Sequence, residues 1–290
     1  MIFFIISSVR SGSTAITQIC NTASNCWCGM ETHQNAKSVI WHLKNNPSYS
    51  PEEWIRGNIG AERQKTKKPI YGQKDPVFGP LIPYLHEAFD CKFVYLIRDG
   101  REVVTSMLNW NQNTTGYLYR ECREPVELSE AALEFSRKIE KAPFIYLSDL
   151  VRPRPEPDEP IAEVWRYLSR LEMYAWYWKR SNEIIQENLA KIPAKKAFWI
   201  NLSNGTSVDQ VNDMIKWIGL ENVGNVRPML ESRINSSEER GFGKGTYPHW
   251  SEWSDSDKDK FDRIAGDMMK RLEINDAFKT KMGKSAEIVC

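Results

Sequence analysis

Residues 2–14, with the sequence IFFIISSVRSGST, decide how the chain begins to fold. Residues 2–6 are an uninterrupted apolar run, which is typical of a strand that is buried on both faces of a sheet. Small and polar residues follow at once, and the chain then continues with apolar residues at helical spacing through Cys20. The order of strand, small-residue loop and helix predicts the opening of a parallel α/β sheet.

Similar patterns predict the other elements of such a sheet. Further strands are expected at residues 70–72, 92–97 and 197–202. Helices are expected at residues 81–89, 103–108, 128–140, 161–188, 208–218 and 255–272. We therefore predict an α/β protein in which helices flank a central parallel sheet, in a single domain that covers residues 1–290.

The middle of the chain combines a proline-rich segment with a long helical pattern. Prolines at positions 153, 155, 157 and 160 favour extended chain, so residues 151–160 are expected to form an exposed loop or a lid. After them, apolar residues recur at steps of three or four from Ile161 to Trp178. This spacing predicts one helix over residues 161–188 with a stripe that faces the core.

The composition excludes several classes of protein. With 39 Lys and Arg against 38 Asp and Glu, the net charge of +1 argues against a nucleic-acid coat or a polybasic membrane binder. Hydrophobic residues make up 41%, which is ample for a core. No segment has the roughly 18 apolar residues of a membrane-spanning helix, and the N-terminal apolar run lacks the features of a signal peptide. We expect a cytoplasmic protein.

The cysteines and histidines do not form a metal-binding pattern. The six cysteines include one C-x-C pair, Cys26 and Cys28, but no second pair of ligands accompanies it. A disulfide framework is not expected in a cytoplasmic protein of this size. We therefore predict free thiols, several of them buried, and no metal.

The loop at residues 8–14 is a candidate anion site. A helix N-terminus at the end of a buried strand presents free backbone N–H groups and the positive end of the helix dipole to a ligand. The loop is not a Walker A motif, because no Lys follows Gly12 and the first glycine of that motif is missing. It is either a phosphate cradle or an ordinary tight turn.

A second candidate site follows the strand at residues 92–97. Arg98 leaves the end of this strand, where open α/β sheets bind their ligands, and Ser106 lies on the next helix. An arginine here could bind a phosphate group through two hydrogen bonds. The alternative is that Arg98 pairs with Asp99 on a surface turn.

Taken together, four segments resemble motifs of the sulfotransferases that use 3′-phosphoadenosine 5′-phosphosulfate (PAPS), and most of all those of the tyrosylprotein sulfotransferases. The resemblance is dense over the first 110 residues, and it departs from the family pattern at Val9, which replaces a proline, and at His33, which replaces an arginine. The segments are VRSGST at 9–14, CGMETH at 28–33, QKDPV at 73–77 and IRDGREVVTS at 97–106.

The resemblance implies a P-loop-like sulfotransferase fold, with acceptor-side insertions at about residues 30–65 and 111–190, and a role for each matched residue. Lys74 is a second cation on the transferring group, and Glu31 is the general base, with His33 as its rival. The remaining residues bind the donor: Arg10, Ser11, Gly12, Ser13 and Thr14 hold the 5′-phosphosulfate, and Arg98 and Ser106 hold the 3′-phosphate. A fifth segment, RGFGKG at 240–245, resembles a basic glycine-rich segment that covers the 3′-phosphate in many members of the family, which implies this role for Lys244.

These residue types suit sulfuryl transfer, which resembles phosphoryl transfer in that charge develops on the leaving phosphate oxygen. Cations such as Arg10 and Lys74 stabilise that charge, and a carboxylate removes the proton of the acceptor hydroxyl. The expected partner is therefore a hydroxyl-bearing acceptor: a phenol, a tyrosyl peptide, a sugar or another alcohol. The sequence does not decide whether the protein forms a homodimer.

Two other functions are compatible with the same loop: a P-loop kinase or NTPase, against which the missing lysine argues, and a non-catalytic nucleotide-binding protein. Two of the matched residues also have alternative interpretations in which they take no part in a reaction. Glu31 could be a solvated loop residue, and Lys74 could be a strand-end partner in an ion pair.

Overall fold

The computed structural model describes residues 1–33, 35–113, 119, 121–124, 150–203, 207–232 and 245–285. Within them, five parallel strands form one sheet in the order β2-β3-β1-β4-β5. The strands are β1 (Ile2–Ser7), β2 (Cys26–Met30), β3 (Ile70–Lys74), β4 (Lys92–Ile97) and β5 (Ala197–Asn201). The predicted α/β class, with a central parallel sheet, is confirmed.

Helices cover both faces of this sheet. The α-helices are α1 (Ser13–Thr22), α2 (Ala36–Asn45), α3 (Glu52–Trp54), α4 (Ala61–Lys65), α5 (Ile82–Phe89), α6 (Gly100–Asn113), α7 (Pro160–Val164), α8 (Arg170–Leu189), α9 (Ser207–Ile218), α10 (Val226–Glu231) and α11 (Asp255–Ser285). A π-helix, Ile55–Gly60, joins α3 to α4, and 3₁₀ turns lie at Gly79–Leu81, Trp165–Tyr167, Ala194–Lys196 and Trp250–Glu252.

The alternation of side chains along β1 explains why residues 2–6 are all apolar. Phe4 and Ile6 pack into the core on one side of the sheet, together with α5, α6, α8 and α11. Phe3 and Ile5 pack on the other side, against α1, α9 and α10. A strand covered on both faces has no exposed position for a polar residue.

The prediction of one helix over residues 161–188 is wrong. The structure has the short helix α7, a 3₁₀ turn and then α8, which begins at Arg170. Ser169 caps α8: its Oγ accepts from the backbone N–H of Glu172 at 3.3 Å, and its own N–H donates to the carboxylate of Glu172 at 2.8 Å. This capping box ends one helix and starts another while the apolar stripe continues across the break.

The other elements compare with the sequence as follows. The predicted strands are confirmed, β2 was not predicted, and the helix expected at residues 128–140 lies outside the described residues. The proline-rich segment is partly buried at residues 151–155 and exposed at residues 156–158.

Five cysteines are free and buried, in agreement with the prediction of free thiols of which several are buried, and Cys290 lies outside the described residues. No helix of the described chain is long and apolar enough to span a bilayer.

Candidate functional site

The anion loop lies where β1 meets α1. Gly12 is the N-cap of α1 and has a φ of 83°, a left-handed conformation that suits glycine. A Cβ atom here would lie 2.7 Å from Leu202 Cδ1, so a larger residue would also require the Leu202 side chain to shift. The hydroxyls of Ser8 and Ser11 are 2.7 Å apart and hold the loop together. The first N–H groups of α1, including those of Ser13 and Thr14, have no acceptor within the helix and are available to an anion.

Arg10 connects this loop to the second candidate site. It also has a left-handed backbone, with a φ of 61°. Its Nε donates to Ser106 Oγ on α6 at 3.0 Å, and its guanidinium lies 4.6 Å from the ring centre of Trp110. The guanidinium therefore lies on the side of the site to which the resemblance assigns the 3′-phosphate.

Arg98 supports the same junction from β4. Its Nη1 donates to the carbonyl oxygen of Arg10 at 3.2 Å, and its Nε donates to Glu102 at 2.8 Å. Asp99 does not pair with Arg98. It binds the guanidinium of Arg101 instead, at 2.5 Å. The structure thus brings Arg10, Arg98 and Ser106 together at the carboxyl edge of β1 and β4.

Lys74 and Glu31 meet at the ends of β3 and β2. Lys74 Nζ lies 2.5 Å from Glu31 Oε1, and the backbone N–H of Glu31 donates to the carbonyl oxygen of Lys74 at 2.8 Å. The side chain of Lys74 is 6% exposed, whereas that of Glu31 is 50% exposed. Glu31 has a φ of 54°, a left-handed conformation that turns the chain just beyond β2. The buried cation is therefore paired with a carboxylate that is open to an incoming molecule.

Charges near this pair set its protonation. Desolvation works to raise the pKa of Glu31, but Lys74, through its charge and hydrogen bond, and then Arg152 and Lys37 together hold it below its usual value. Glu31 is therefore ionised at neutral pH. Burial and the charge of Glu31 raise the pKa of Asp75 to about 6, although the Val77 N–H, Lys74 and Arg152 oppose the rise.

His33 points to a different partner. Its Nε2 lies 3.0 Å from a carboxylate oxygen of Glu62, and its side chain is 9% exposed. Because a carboxylate can only accept, this nitrogen carries the proton and has no free lone pair. Burial lowers the pKa of His33, against the opposing effect of Glu62.

Several residues of the site were not predicted. Asp75 belongs to a matched motif but was given no role, and Trp110, Lys37 and Arg152 follow no motif that the sequence could reveal. The predicted donor ligand Lys244 lies outside the described residues. Among the residues that are described, no three His, Cys, Asp or Glu side chains form a group that could hold a metal ion.

Comparisons with known proteins give weak similarities. No family model matches the chain, and no curated protein matches it. In structure the chain is similar to a sulfotransferase domain of the Synechococcus PCC 7002 olefin synthase, with 13% identity, a TM-score of 0.45 and coverage of 92% of this chain and 94% of that one. It is also similar to a sulfotransferase domain of the curacin biosynthetic pathway (13% identity, TM-score 0.43, coverage 92% and 96%). A third similar structure is a sulfotransferase from Alicyclobacillus acidocaldarius, with 12% identity, a TM-score of 0.40 and coverage of 91% of this chain and 95% of that one. At such values the likeness carries no argument about the reaction.

Proposed function

We propose that the chain is an enzyme that transfers a sulfuryl group from PAPS to the hydroxyl group of an acceptor and releases adenosine 3′,5′-bisphosphate. The observation that carries the proposal is the pairing of buried Lys74 with exposed Glu31 at the end of β3, the strand that neighbours β1 and its anion loop. A cation for the leaving group and a base for the acceptor are then neighbours at one sheet edge.

The donor requires sites for two anionic groups, and the described residues offer two. The backbone N–H groups at the start of α1, with Ser11 and Gly12, suit the phosphosulfate. The cluster of Arg10, Arg98 and Ser106 suits the 3′-phosphate, because arginines bind phosphate through paired, charge-assisted hydrogen bonds. Arg10 belongs to the loop through its backbone and to the cluster through its guanidinium, which fits a donor that spans the junction of β1 and β4.

The reaction balances with these residues alone. The acceptor oxygen forms a bond to sulfur as the bond between sulfur and the bridging phosphate oxygen breaks. Lys74 stabilises the negative charge that develops on the leaving phosphate. The proton of the acceptor hydroxyl moves to Glu31, which is ionised at neutral pH and is therefore able to take it.

The ion pair links donor binding to the strength of the base. Without the donor, Lys74 neutralises Glu31 at 2.5 Å. A bound phosphosulfate competes for Lys74, and a carboxylate that loses a cation gains in pKa. We therefore expect Glu31 to become a stronger base when the donor is in place.

The experiment is a transfer assay with PAPS labelled with radioactive sulfur and a panel of phenols, tyrosyl peptides, glycans and simple alcohols. Label should move to at least one class of acceptor. A thermal-shift comparison runs beside it, and adenosine 3′,5′-bisphosphate should stabilise the fold more than ATP with Mg²⁺ does. If ATP with Mg²⁺ stabilised the fold and adenosine 3′,5′-bisphosphate did not, the result would contradict the proposal and favour a phosphotransferase.

A further inference from the structure

A second carboxylate, that of Glu62, lies beside the pair of Lys74 and Glu31 but has no part in the proposed reaction. Glu62 is on α4, the short helix that follows the π-helix Ile55–Gly60. Its side chain is 26% exposed. On the sequence alone this position, within the charged run AERQK, resembles a solvated helix face.

Four donors converge on one oxygen of this carboxylate. The donors to Glu62 Oε2 are the hydroxyl of Tyr71 at 2.6 Å, Gln73 Nε2 at 2.8 Å, His33 Nε2 at 3.0 Å and Thr32 Oγ1 at 3.1 Å. Hydrogen bonds to an ionised acceptor are stronger than those between neutral groups. Glu62 is therefore the centre of a network and not a solvated side chain.

The donors belong to the two segments that hold the reacting pair. Residues 32–33 directly follow Glu31, and the other two donors lie on β3 just before Lys74. Gln73 adds one cross-link, because its Nε2 also donates to Thr32 Oγ1 at 2.6 Å. Its Oε1 accepts from the backbone N–H of the next residue, Lys74, at 3.2 Å, which fixes the orientation of the amide. The network thus ties the turn after β2 to the end of β3.

Such a tie is needed because Glu31 has an unfavourable backbone. A left-handed conformation is unfavourable for an ordinary L-residue, because its Cβ crowds the following carbonyl oxygen. It persists only where the surrounding structure holds it in place. The hydrogen bonds from Thr32 and His33 to Glu62 hold the two residues that follow the strained position.

We propose that Glu62 is a positioning residue, whose carboxylate holds the turn at residues 31–33 so that Glu31 stays within reach of Lys74 and of the acceptor. The catalytic part of this inference rests on the proposed function; the structural part does not. A network that only stabilised the sheet edge would act on the fold and not through Glu31, and a double-mutant cycle separates the two roles.

The principal variant is Glu62→Gln, which keeps the size of the side chain and removes its charge. The kcat should fall roughly 10–100-fold, the range for misplacing a reacting group, while the KM for PAPS stays near that of the wild type. In a Glu31→Gln background the same change should cause no further loss, because the group that Glu62 positions has gone. Glu53→Gln, which alters an exposed carboxylate on α3, is the matched control and should leave kcat unchanged.

A second pair of variants covers the case in which Glu62→Gln does not fold. Thr32→Val removes one donor of the network, and Thr32→Ser keeps the hydroxyl. Thr32→Ser should retain more of the wild-type kcat than Thr32→Val. Equal kcat in the two variants, or losses that multiply in the Glu62→Gln and Glu31→Gln double variant, would overturn the proposal.

A measurement without turnover distinguishes failure of this inference from failure of the proposed function. NMR titration of the labelled Glu31 carboxyl carbon should give a pKa below the usual value in the wild type, and Glu62→Gln should raise it as the contact with Lys74 loosens. If no acceptor is sulfated but this rise is seen, the proposed reaction is wrong and the positioning role stands. A pKa of Glu31 that Glu62→Gln leaves unchanged overturns the positioning role.

Discussion

At the scale of single residues, two of the cations proposed to meet the donor already have carboxylate partners. Lys74 is paired with Glu31, and Arg98 is paired with Glu102. An anionic donor must therefore displace one set of ion pairs as it forms another. The affinity of the protein for the donor therefore reflects the free energy of the new ion pairs minus that of the pairs that are lost. It is smaller than the number of cations in the site would indicate.

Glu31→Gln should separate catalysis from donor binding. The variant keeps the shape of the side chain and loses the group that accepts the proton, so kcat should fall by about 10²–10⁴-fold while binding of adenosine 3′,5′-bisphosphate survives. The loss should shrink with nitrophenols, whose hydroxyl ionises more readily. Steady-state kinetics with both acceptor types measure this.

His33→Asn is the comparison for that experiment. Since His33 Nε2 donates to Glu62, we expect the histidine variant to lose less activity than Glu31→Gln. A collapse of activity in His33→Asn, with Glu31→Gln still active, would assign the base to His33.

Asp75 should make the stability of the fold depend on pH. Its pKa is raised to about 6 in the folded protein, so the folded state binds a proton more tightly than the unfolded chain does. The free energy of unfolding is therefore reduced as pH rises from about 4 to about 6, by at most roughly 3 kcal/mol. Asp75→Asn, which can still accept from the Val77 N–H, should be more stable than the wild type at pH 7 and lose that advantage by pH 4. Urea unfolding at several pH values tests this, and an equal difference at both ends would refute it.

At the scale of elements, the junction of β4 and α6 brings the two halves of the proposed donor site together. Arg98→Ala removes a proposed ligand of the 3′-phosphate and the hydrogen bond to Arg10. Loss of such a contact costs roughly 2–5 kcal/mol, so the KM for PAPS should rise steeply while kcat at saturating donor changes less. Glu102→Gln, which frees Arg98 from its partner, should bind adenosine 3′,5′-bisphosphate more tightly.

Calorimetry with that nucleotide, with and without its 3′-phosphate, measures both variants. If Arg98→Ala discriminated between the two nucleotides as well as the wild type does, Arg98 would have no role at the 3′-phosphate.

The start of α8 offers a separate test of how the helices are divided. Ser169→Ala removes the side chain that caps the helix, which should lower the free energy of unfolding by about 1 kcal/mol. Ser169→Thr keeps a capping hydroxyl and should be nearly as stable as the wild type. Chemical denaturation measures the difference, and equal stability of the Ala variant would show that the cap does not define this boundary.

At the scale of the whole molecule, the strands β1, β4 and β5 could be predicted from their apolar runs, and β3 from Ile70 and Tyr71 ahead of its polar end. The strand β2 could not, since its five residues include Gly29 and carry no β-branched residue. The break at Ser169 was missed because the apolar stripe crosses it, although the S-x-x-E spacing of a capping box was there to find.

The candidate site, like the fold, could be predicted from the sequence only in part. Lys74, Arg10 and Glu31 could be named from motifs, but the ion pair between Lys74 and Glu31 depends on the strand order, which the sequence does not state. Glu62 could not be named at all. It reaches the site from a different element, and nothing in its local sequence distinguishes it from a solvated glutamate.

The left-handed backbones of Arg10 and Glu31 have a consequence for protein engineering. Glycine would adopt this conformation at no steric cost at either position. At residue 31, however, glycine would leave the buried ammonium of Lys74 without its carboxylate, which costs more than the relief of backbone strain. At residue 10 glycine would give up the contacts of the guanidinium with Ser106 and Trp110. Directed evolution that selects only for heat tolerance should therefore replace Arg10 sooner than Glu31, and the surviving variants would lack an arginine proposed to bind the donor.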